Sequence, residues 1–400
     1  MKVLRIISSM NPKQGGPCQG LRNAIPELAR LGVSNEVVCL DSPEATFLTH
    51  DKFKIVALGP AKTSWCYSDK LKPWLLSNIC NYDIVIIHGL WQFHGYAVFK
   101  ALKQLKKEKP SVILPKFYVM PHGMLDPYFQ VAAGRKLKAI RNNIYWRLIE
   151  SKIINKADGL LFTCKAELQL AKTTFKNYHP AQELNIGYGI EQPPNFISEM
   201  KDSVANLFPK QIELPYFLFL SRIHPKKGID LLIQAYSEIS AVQNNLPSLL
   251  IAGPGDDSEY GRSLKEKVNN HPTISKKIIF TGMLTGIKKW GAFYGCEAFI
   301  LPSHQENFGI AVVEALACGK PVIISDQVNI WNEISETGAG IVGHDDLKGI
   351  SDSILYWLEL SDEKKKTMGE NASQTFSSLF SIEKSALKFT ETMQEQLKRS

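Results

Sequence analysis

No apolar run in this chain approaches the ~20 residues that span a bilayer, so the sequence offers no membrane-crossing helix. The seven cysteines, at 18, 39, 66, 80, 164, 296 and 318, are odd in number and show no zinc-like or redox-pair spacing. They read as free thiols in a reducing cytoplasm. Internal repeats and low-complexity segments are lacking too, which leaves an ordinary globular chain. The opening Met-Lys-Val-Leu-Arg-Ile-Ile-Ser-Ser is broken by Arg5, and no small-residue cleavage site follows. It therefore reads as a first strand and not as a signal peptide. Nucleic-acid recognition motifs are missing despite a net charge of +8.

That charge is uneven. Residues 1–200 hold 26 Lys+Arg against 15 Asp+Glu, whereas the remainder holds 21 against 24. Such asymmetry points to an anionic partner for the first half, and an anionic membrane surface fits better than nucleic acid. With 400 residues the chain has room for two or three domains. Short buried-strand patterns alternate with amphipathic helical ones throughout. Near-continuous Val/Ile/Leu/Phe runs mark strands at Val3–Ser8, Asn35–Leu40, Ile84–His88, Phe117–Met120, Gly159–Thr163, Tyr216–Leu220, Ser248–Ala252, Lys277–Thr281, Ala298–Leu301 and Pro321–Ser325. Runs of that kind suit parallel strands covered on both faces, so the predicted class is α/β. The proline-rich stretch 191–215 reads as a linker, and a new strand begins at Tyr216. Two Rossmann-like domains are expected, 1–195 and 196–375. An exposed amphipathic helix within 376–400 is expected to return to the first.

The richest segment is LPSHQENFGIAVVEALACGKPVIIS, Leu301 to Ser325. A strand ends near Pro302 and a helix starts near Asn307–Gly309. A helix N-terminus presents unpaired N–H groups and a positive dipole end, which suit phosphate. Glu314 sits inside that helix, where a carboxylate can accept from two ribose hydroxyls. Glu306, in the loop, can do the same for a sugar. Read alone, both also suit ordinary solvated glutamates. SRIHPKKG, Ser221–Gly228, follows a strand and places Arg222 and Lys227 where open α/β sheets bind ligands. Two cations there can neutralise a diphosphate leaving group, although two solvated cations remain the simpler alternative. Gly253-Pro254-Gly255 and Phe280-Thr281-Gly282 are turns at strand ends, with backbone of Gly282, Met283 and Leu284 able to read a nucleobase edge. In the first half, Gly15-Gly16-Pro17 follows the first strand, His122 lies in PHGMLDP, and His88-Gly89 competes with it as the histidine of a site. Residues 135–156 form a basic amphipathic helix with Leu137, Ile140, Ile144, Leu148 and Ile149 at helical spacing. Its apolar stripe suits packing on the domain or seating on anionic lipid.

Taken in order, these pieces resemble the retaining glycosyltransferases of family four, which have the GT-B fold, two Rossmann-like domains with parallel sheets facing across a cleft. SRIHPKKG is similar to that family's Arg-x4-Lys-Gly clamp, GPGDD to its glycine turn, and LPSHQENFGIAVVEALACGKPVI to its Glu-x7-Glu signature. HGMLDP followed by a basic helix resembles bacterial members that build exopolysaccharide. The resemblance implies a hexosyltransferase that uses a nucleotide sugar, UDP-glucose in first place, and a glycan or lipid-linked acceptor. It implies that Arg222 and Lys227 bind diphosphate. Glu306 would bind the donor sugar with the amides of Asn307, Phe308, Gly309 and Ile310, and Glu314 the ribose. Gly253, Gly282 and Met283 would line the donor, and Gly16 and His122 would lie at the reaction centre. Tyr188, in NIGYGIE, stands where the family often has asparagine, so that asparagine's role is not carried over. The chain has no Asp-x-Asp motif, so no metal and no cofactor is expected. A nucleotide-sugar epimerase, a glycoside phosphorylase and a non-catalytic nucleotide-sugar binder are the alternatives. The expected location is cytoplasmic, peripheral at the inner face of the membrane.

Overall fold

The computed structural model describes residues 1–132, 134–205, 215–243 and 245–399. The chain forms two compact units, Met1–Ile190 with Ser381–Ser400, and Glu191–Phe380. The first holds seven strands: β1 (Lys2–Ile7), β2 (Ser34–Cys39), β3 (Lys54–Ala57), β4 (Ile84–His88), β5 (Lys116–Met120), β6 (Gly159–Phe162) and β7 (Glu183–Asn185). They pair in the order β3-β2-β1-β4-β5-β6-β7, all parallel. The second unit holds β8 (Tyr216–Leu220), β9 (Ser248–Ala252), β10 (Ile278–Gly282), β11 (Ala298–Leu301), β12 (Val322–Ser325) and β13 (Gly340–Gly343). Their order is β10-β9-β8-β11-β12-β13, again parallel. Each unit is thus Rossmann-like, and the α/β class read from the apolar runs is the class observed.

The reason lies in the strand sequences. Val-Ile-Ile at 85–87 and Phe-Leu-Phe at 217–219 are fully or almost fully buried, as strands covered by helices on both faces must be. In each sheet the chain order reverses beside the first strand, between β1 and β4 and between β8 and β11. Connections on the two sides leave toward opposite faces there, so a crevice opens at the carboxyl ends of those strands. Those ends carry Gly15-Gly16 and His88 in the first unit, and Ser221–Gly228 and Pro302–Gly309 in the second.

Four sequence expectations need correction. Strands β3, β7 and β13 were not foreseen, because each is a short edge strand with few buried residues. The expected linker 191–215 contains a helix, Ser198–Ala205, and its remaining stretch 206–214 lies outside the described residues. The terminal helix Ile382–Lys398 is not simply exposed. Its Ala386, Phe389 and Met393 join Val3, Ile84 and Tyr118 in the first unit's core. The basic segment is helical from Lys136 to Ile154, passing through one π-type turn at Trp146–Glu150. Of its expected stripe, Ile149 packs against the first unit's core, but the other four residues do not. Leu137, Ile140, Ile144 and Leu148 are 83%, 57%, 55% and 62% exposed. The inward face is a different row, Ala139, Asn142, Trp146, Glu150, Ile153 and Ile154, all buried.

Candidate active site

In the second unit two loops meet at the strand reversal. After β8 the chain makes a short 3-10 turn, Pro225–Lys227, in which the His224 ring accepts from the Lys226 amide at 3.1 Å. Gly228 then takes a left-handed conformation, φ 66°, and a Cβ there would stand 2.0 Å from the Pro302 carbonyl oxygen. Only glycine allows that approach. The approach brings the loop after β8 against the loop after β11, where His304 N–H donates to the Lys226 carbonyl at 2.9 Å. The second loop is tied from its other side as well. Glu306 N–H donates to Gln327 O, and Asn329 N–H donates to Glu306 O, both at 2.9 Å.

Strapped in this way, Glu306 forms an ion pair with Lys227 across 79 residues of sequence. Lys227 is buried, with 6% of its side-chain surface exposed against 24% for Glu306. Burial pushes the Glu306 carboxyl up, but Lys227, Lys226 and the Asn307 amide outweigh it and hold the carboxyl below its usual range. Gly309, φ 77°, caps the helix Ile310–Ala317 with its backbone and offers no side-chain cap. The first amides of that helix therefore point out of its N-terminus beside Glu306, an arrangement suited to an anion.

One turn further, Glu314 is not a free carboxylate. Its Oε1 accepts from Lys289 Nζ at 2.6 Å, and that ammonium also lies 4.6 Å from the Trp290 ring centroid. Burial raises the Glu314 carboxyl, and Lys289 offsets this only in part. Arg222 is exposed and has no ion pair among the described residues. The other candidates have mixed placements. Gly253, φ 144°, would put a Cβ 1.8 Å from the Ser221 carbonyl oxygen, so it serves to hold the loop after β8. Gly282, φ 68°, faces open space, and Met283 beside it is 68% exposed. Asn307 Oδ1 accepts from Asn329 Nδ2 at 3.4 Å. Phe308 buries its ring against Phe380, leaving only its backbone for a ligand.

The first unit has its own cluster at the reversal. Gly15, φ 91°, precedes the helix Gly16–Arg30, and the Gly16 carbonyl accepts from Tyr188 Oη at 3.2 Å. A Cβ on Gly20 would meet Tyr188 Oη at 2.3 Å, so the tyrosine ring lies directly on the first turns of that helix. His88 Nδ1 and His122 Nε2 are 2.9 Å apart, and Arg5 Nη1 lies 3.4 Å from His88 Nε2. These groups, with Gly20, Tyr188 and Ser385, line a cavity of about 50 Å³. His122 sits in a left-handed conformation, φ 53°, and Glu167 fixes its loop by accepting from Gly123 N–H at 2.6 Å. His88 is only 3% exposed, and His122 is the outer ring of the pair.

The protonation pattern follows from the donors. Arginine can only donate, so His88 Nε2 must accept. Burial, helped by His122, Arg5 and His94, drives His88 well below its ordinary range, so it is neutral with its proton on Nδ1. His88 Nδ1–H then donates to His122 Nε2. Burial and Arg5 lower His122 to about 4, so it too is neutral, with its proton on Nδ1. His122 is accordingly a hydrogen-bond donor. Sequence reasoning missed Arg5 and Lys289. A charged residue inside an otherwise apolar strand was the available sign of Arg5, whereas Lys289 had none.

Residues 205–375, most of the second unit, match the family model described as glycosyl transferases group 1. Relatives include a lipopolysaccharide 1,2-N-acetylglucosaminetransferase of Salmonella typhimurium, 28% identical over 44% of this chain and 47% of that protein. A serotype-specific mannosyltransferase of Escherichia coli is 24% identical over 43% of this chain and 21% of its own. The chain thus spans less than half the length of these curated relatives. Among solved structures, a Rickettsia africae glycosyltransferase aligns over all of this chain and 99% of its own, with TM-score 0.76 and 18% identity. Anabaena HepE, in complex with UDP and glucose, aligns over 99% of this chain and all of its own, with TM-score 0.71 and 16% identity. The fold is therefore GT-B.

Proposed function

We propose that the protein transfers a hexosyl group from a nucleoside diphosphate sugar, UDP-glucose in first place, to a hydroxyl of a glycan or lipid-linked acceptor in polysaccharide synthesis, with retention of configuration. The observation that carries this reading is the Lys227–Glu306 pair beside the open N-terminus of the helix Ile310–Ala317. The UDP and glucose held by HepE support the choice of donor.

On this reading the helix amides, Lys227 and Arg222 receive the diphosphate. As the anomeric C–O bond breaks, negative charge grows on the leaving phosphate, and cations fixed in place stabilise it without reorganising. The acceptor oxygen forms the new bond to the anomeric carbon, and its proton passes to the departing diphosphate oxygen. Glu306, ionised, accepts from hydroxyls of the donor sugar. Glu314 accepts from the ribose, with Lys289 holding its Oε1 in place. Gly282 and Met283 flank the base through their backbone. His122, a neutral donor, gives its Nδ1–H to a sugar hydroxyl. It is not a base, because Arg5 and His88 fix its tautomer.

The experiment is a panel of nucleotide sugars incubated with the protein while free nucleoside diphosphate is measured. Release from UDP-glucose, reduced at least a hundredfold in Lys227→Ala, is the expected result. Tight binding with no release from any nucleotide sugar would leave a binding protein in place of a transferase.

A further inference from the structure

The helical segment Lys136–Ile154 presents two apolar rows, and only one is used by the fold. Trp146 fixes the inner row. Its ring stacks on Phe175 at 4.6 Å and its Nε1–H donates to Lys176 O at 2.7 Å. Ile153 and Ile154 continue into the same core. The helix therefore cannot roll to hide its other face. That face carries Leu137, Ile140, Ile144 and Leu148, all more than half exposed. Spaced three, four and four residues apart, they form one stripe about 16 Å long at ~1.5 Å per residue. A side-by-side row of four large aliphatic residues facing water costs solvation and marks an interaction surface.

The flanks identify the partner. Between 135 and 156 the chain has seven cations, Arg135, Lys136, Lys138, Arg141, Arg147, Lys152 and Lys156, and a single carboxyl, Glu150. Glu150 is buried on the inner side, where it accepts from Trp91 N–H at 3.2 Å. Burial raises it to about 8 despite that bond, so it adds little negative charge near neutrality. None of the seven cations has an ion pair among the described residues. A second copy of the chain docked stripe to stripe would oppose these cations to their own kind. A surface of anionic headgroups over acyl chains matches both features, charge outside and apolar stripe between. We infer that this helix lies in the plane of an anionic bilayer, its stripe entering the headgroup–acyl boundary and its lysines and arginines on the phosphates. No helix among the described residues is long and apolar enough to cross a membrane, so the contact is one of lying on the surface.

The test is co-sedimentation with phosphatidylcholine vesicles, with and without phosphatidylglycerol, across a salt series. Two double variants carry it: Leu137→Gln with Leu148→Gln, and Arg141→Gln with Arg147→Gln. All four positions are exposed, so the fold has little packing there to lose, and circular dichroism checks this. Wild type should bind only vesicles containing phosphatidylglycerol, and less as salt rises. The arginine pair should lose about fivefold in partitioning per charge removed. The leucine pair should lose about tenfold per residue even at low salt. Equal binding to both vesicle types, no binding to either, or binding that ignores the leucines would overturn the inference. A dimer in sedimentation velocity that the leucine variant abolishes, with no vesicle binding, would give the stripe to a second copy instead. Nucleoside diphosphate release in free solution is scored separately, because these positions lie outside the proposed transfer site.

Discussion

Lys227→Ala should change both the size and the pH dependence of stability, and the direction can be worked from the site. Burial pushes the Glu306 carboxyl up, and Lys227 is the largest influence that brings it down. In the wild type the folded carboxyl therefore lies below the ordinary value near ~4.3. Its contribution is fully present above that value and is lost as pH falls through the folded one. Without Lys227, burial prevails and the folded value rises above the ordinary one. The contribution is then present at low pH and lost as pH rises. The gap between the two proteins must therefore widen as pH rises from below ~4.3 through the carboxylate range toward neutrality. Removing one partner of a buried pair costs ~3–5 kcal/mol. With 24% of the Glu306 side chain still exposed, the cost at neutral pH should be nearer 2–3 kcal/mol, an order-of-magnitude figure. Adding Glu306→Gln removes the stranded charge and should restore most of that stability. It should restore none of the turnover, which falls on the order of 10²–10³-fold for loss of the diphosphate cation. The assays are urea unfolding across pH for wild type, single and double variants, and steady-state kinetics on the same samples. A single variant as stable as wild type at pH 8, or a double variant no more stable than the single, would refute the reasoning.

Other predictions rest on separate features. Glu314→Ala should raise the donor KM by about 10–100-fold, since hydrogen bonds to a charged group are worth ~1.5–3 kcal/mol, with a smaller loss in kcat. Equal effects on both parameters would remove Glu314 from the ribose. Turnover should survive a chelator, because the chain lacks an Asp-x-Asp motif, and a complete loss rescued by magnesium or manganese would contradict this. His94, fully buried and lowered by that burial to about 4, stays neutral in the fold while the unfolded chain takes up a proton near ~6.5. Its contribution to stability is lost as pH falls from about 6.5 to 4, and is on the order of 3 kcal/mol. His94→Gln should flatten that part of the thermal-stability profile, and an unchanged slope would show that His94 is not the cause. Gly253→Ala should destabilise the second unit by more than 2 kcal/mol, on the order expected when a Cβ is forced into a left-handed, backbone-crowded position. A wild-type Tm would mean that the turn yields.

Much of the fold was readable because fully buried parallel strands leave continuous apolar runs. Ile84–His88, Tyr216–Leu220, Ser248–Ala252 and Ala298–Leu301 were read to the residue. The edge strands escaped because they are short and only partly buried, as in Lys54–Ala57, where no residue is fully buried. The two loops of the candidate site were readable as loops at strand ends. Their mutual approach was not, since it depends on the order β8-β11 and on the contact between Gly228 and Pro302. The basic helix shows a subtler limit. Its evenly spaced leucines and isoleucines mark an apolar face, and an apolar face is ordinarily the inner one. Here Trp146, between Tyr145 and Arg147, anchors a second row with Ile153 and Ile154, and that row is the one in the core. Arg5 and His88 gained their meaning only when parallel pairing placed β1 beside β4.

The central claim is that a nucleoside diphosphate sugar is held by the second unit at the loops after β8 and β11. Amide hydrogen exchange of the protein with and without UDP tests it most directly. The account predicts slowed exchange in 221–228 and 307–314, with the effect in 307–314 weakened in Glu314→Ala. Protection confined to the first unit, or none at saturating UDP, would contradict it.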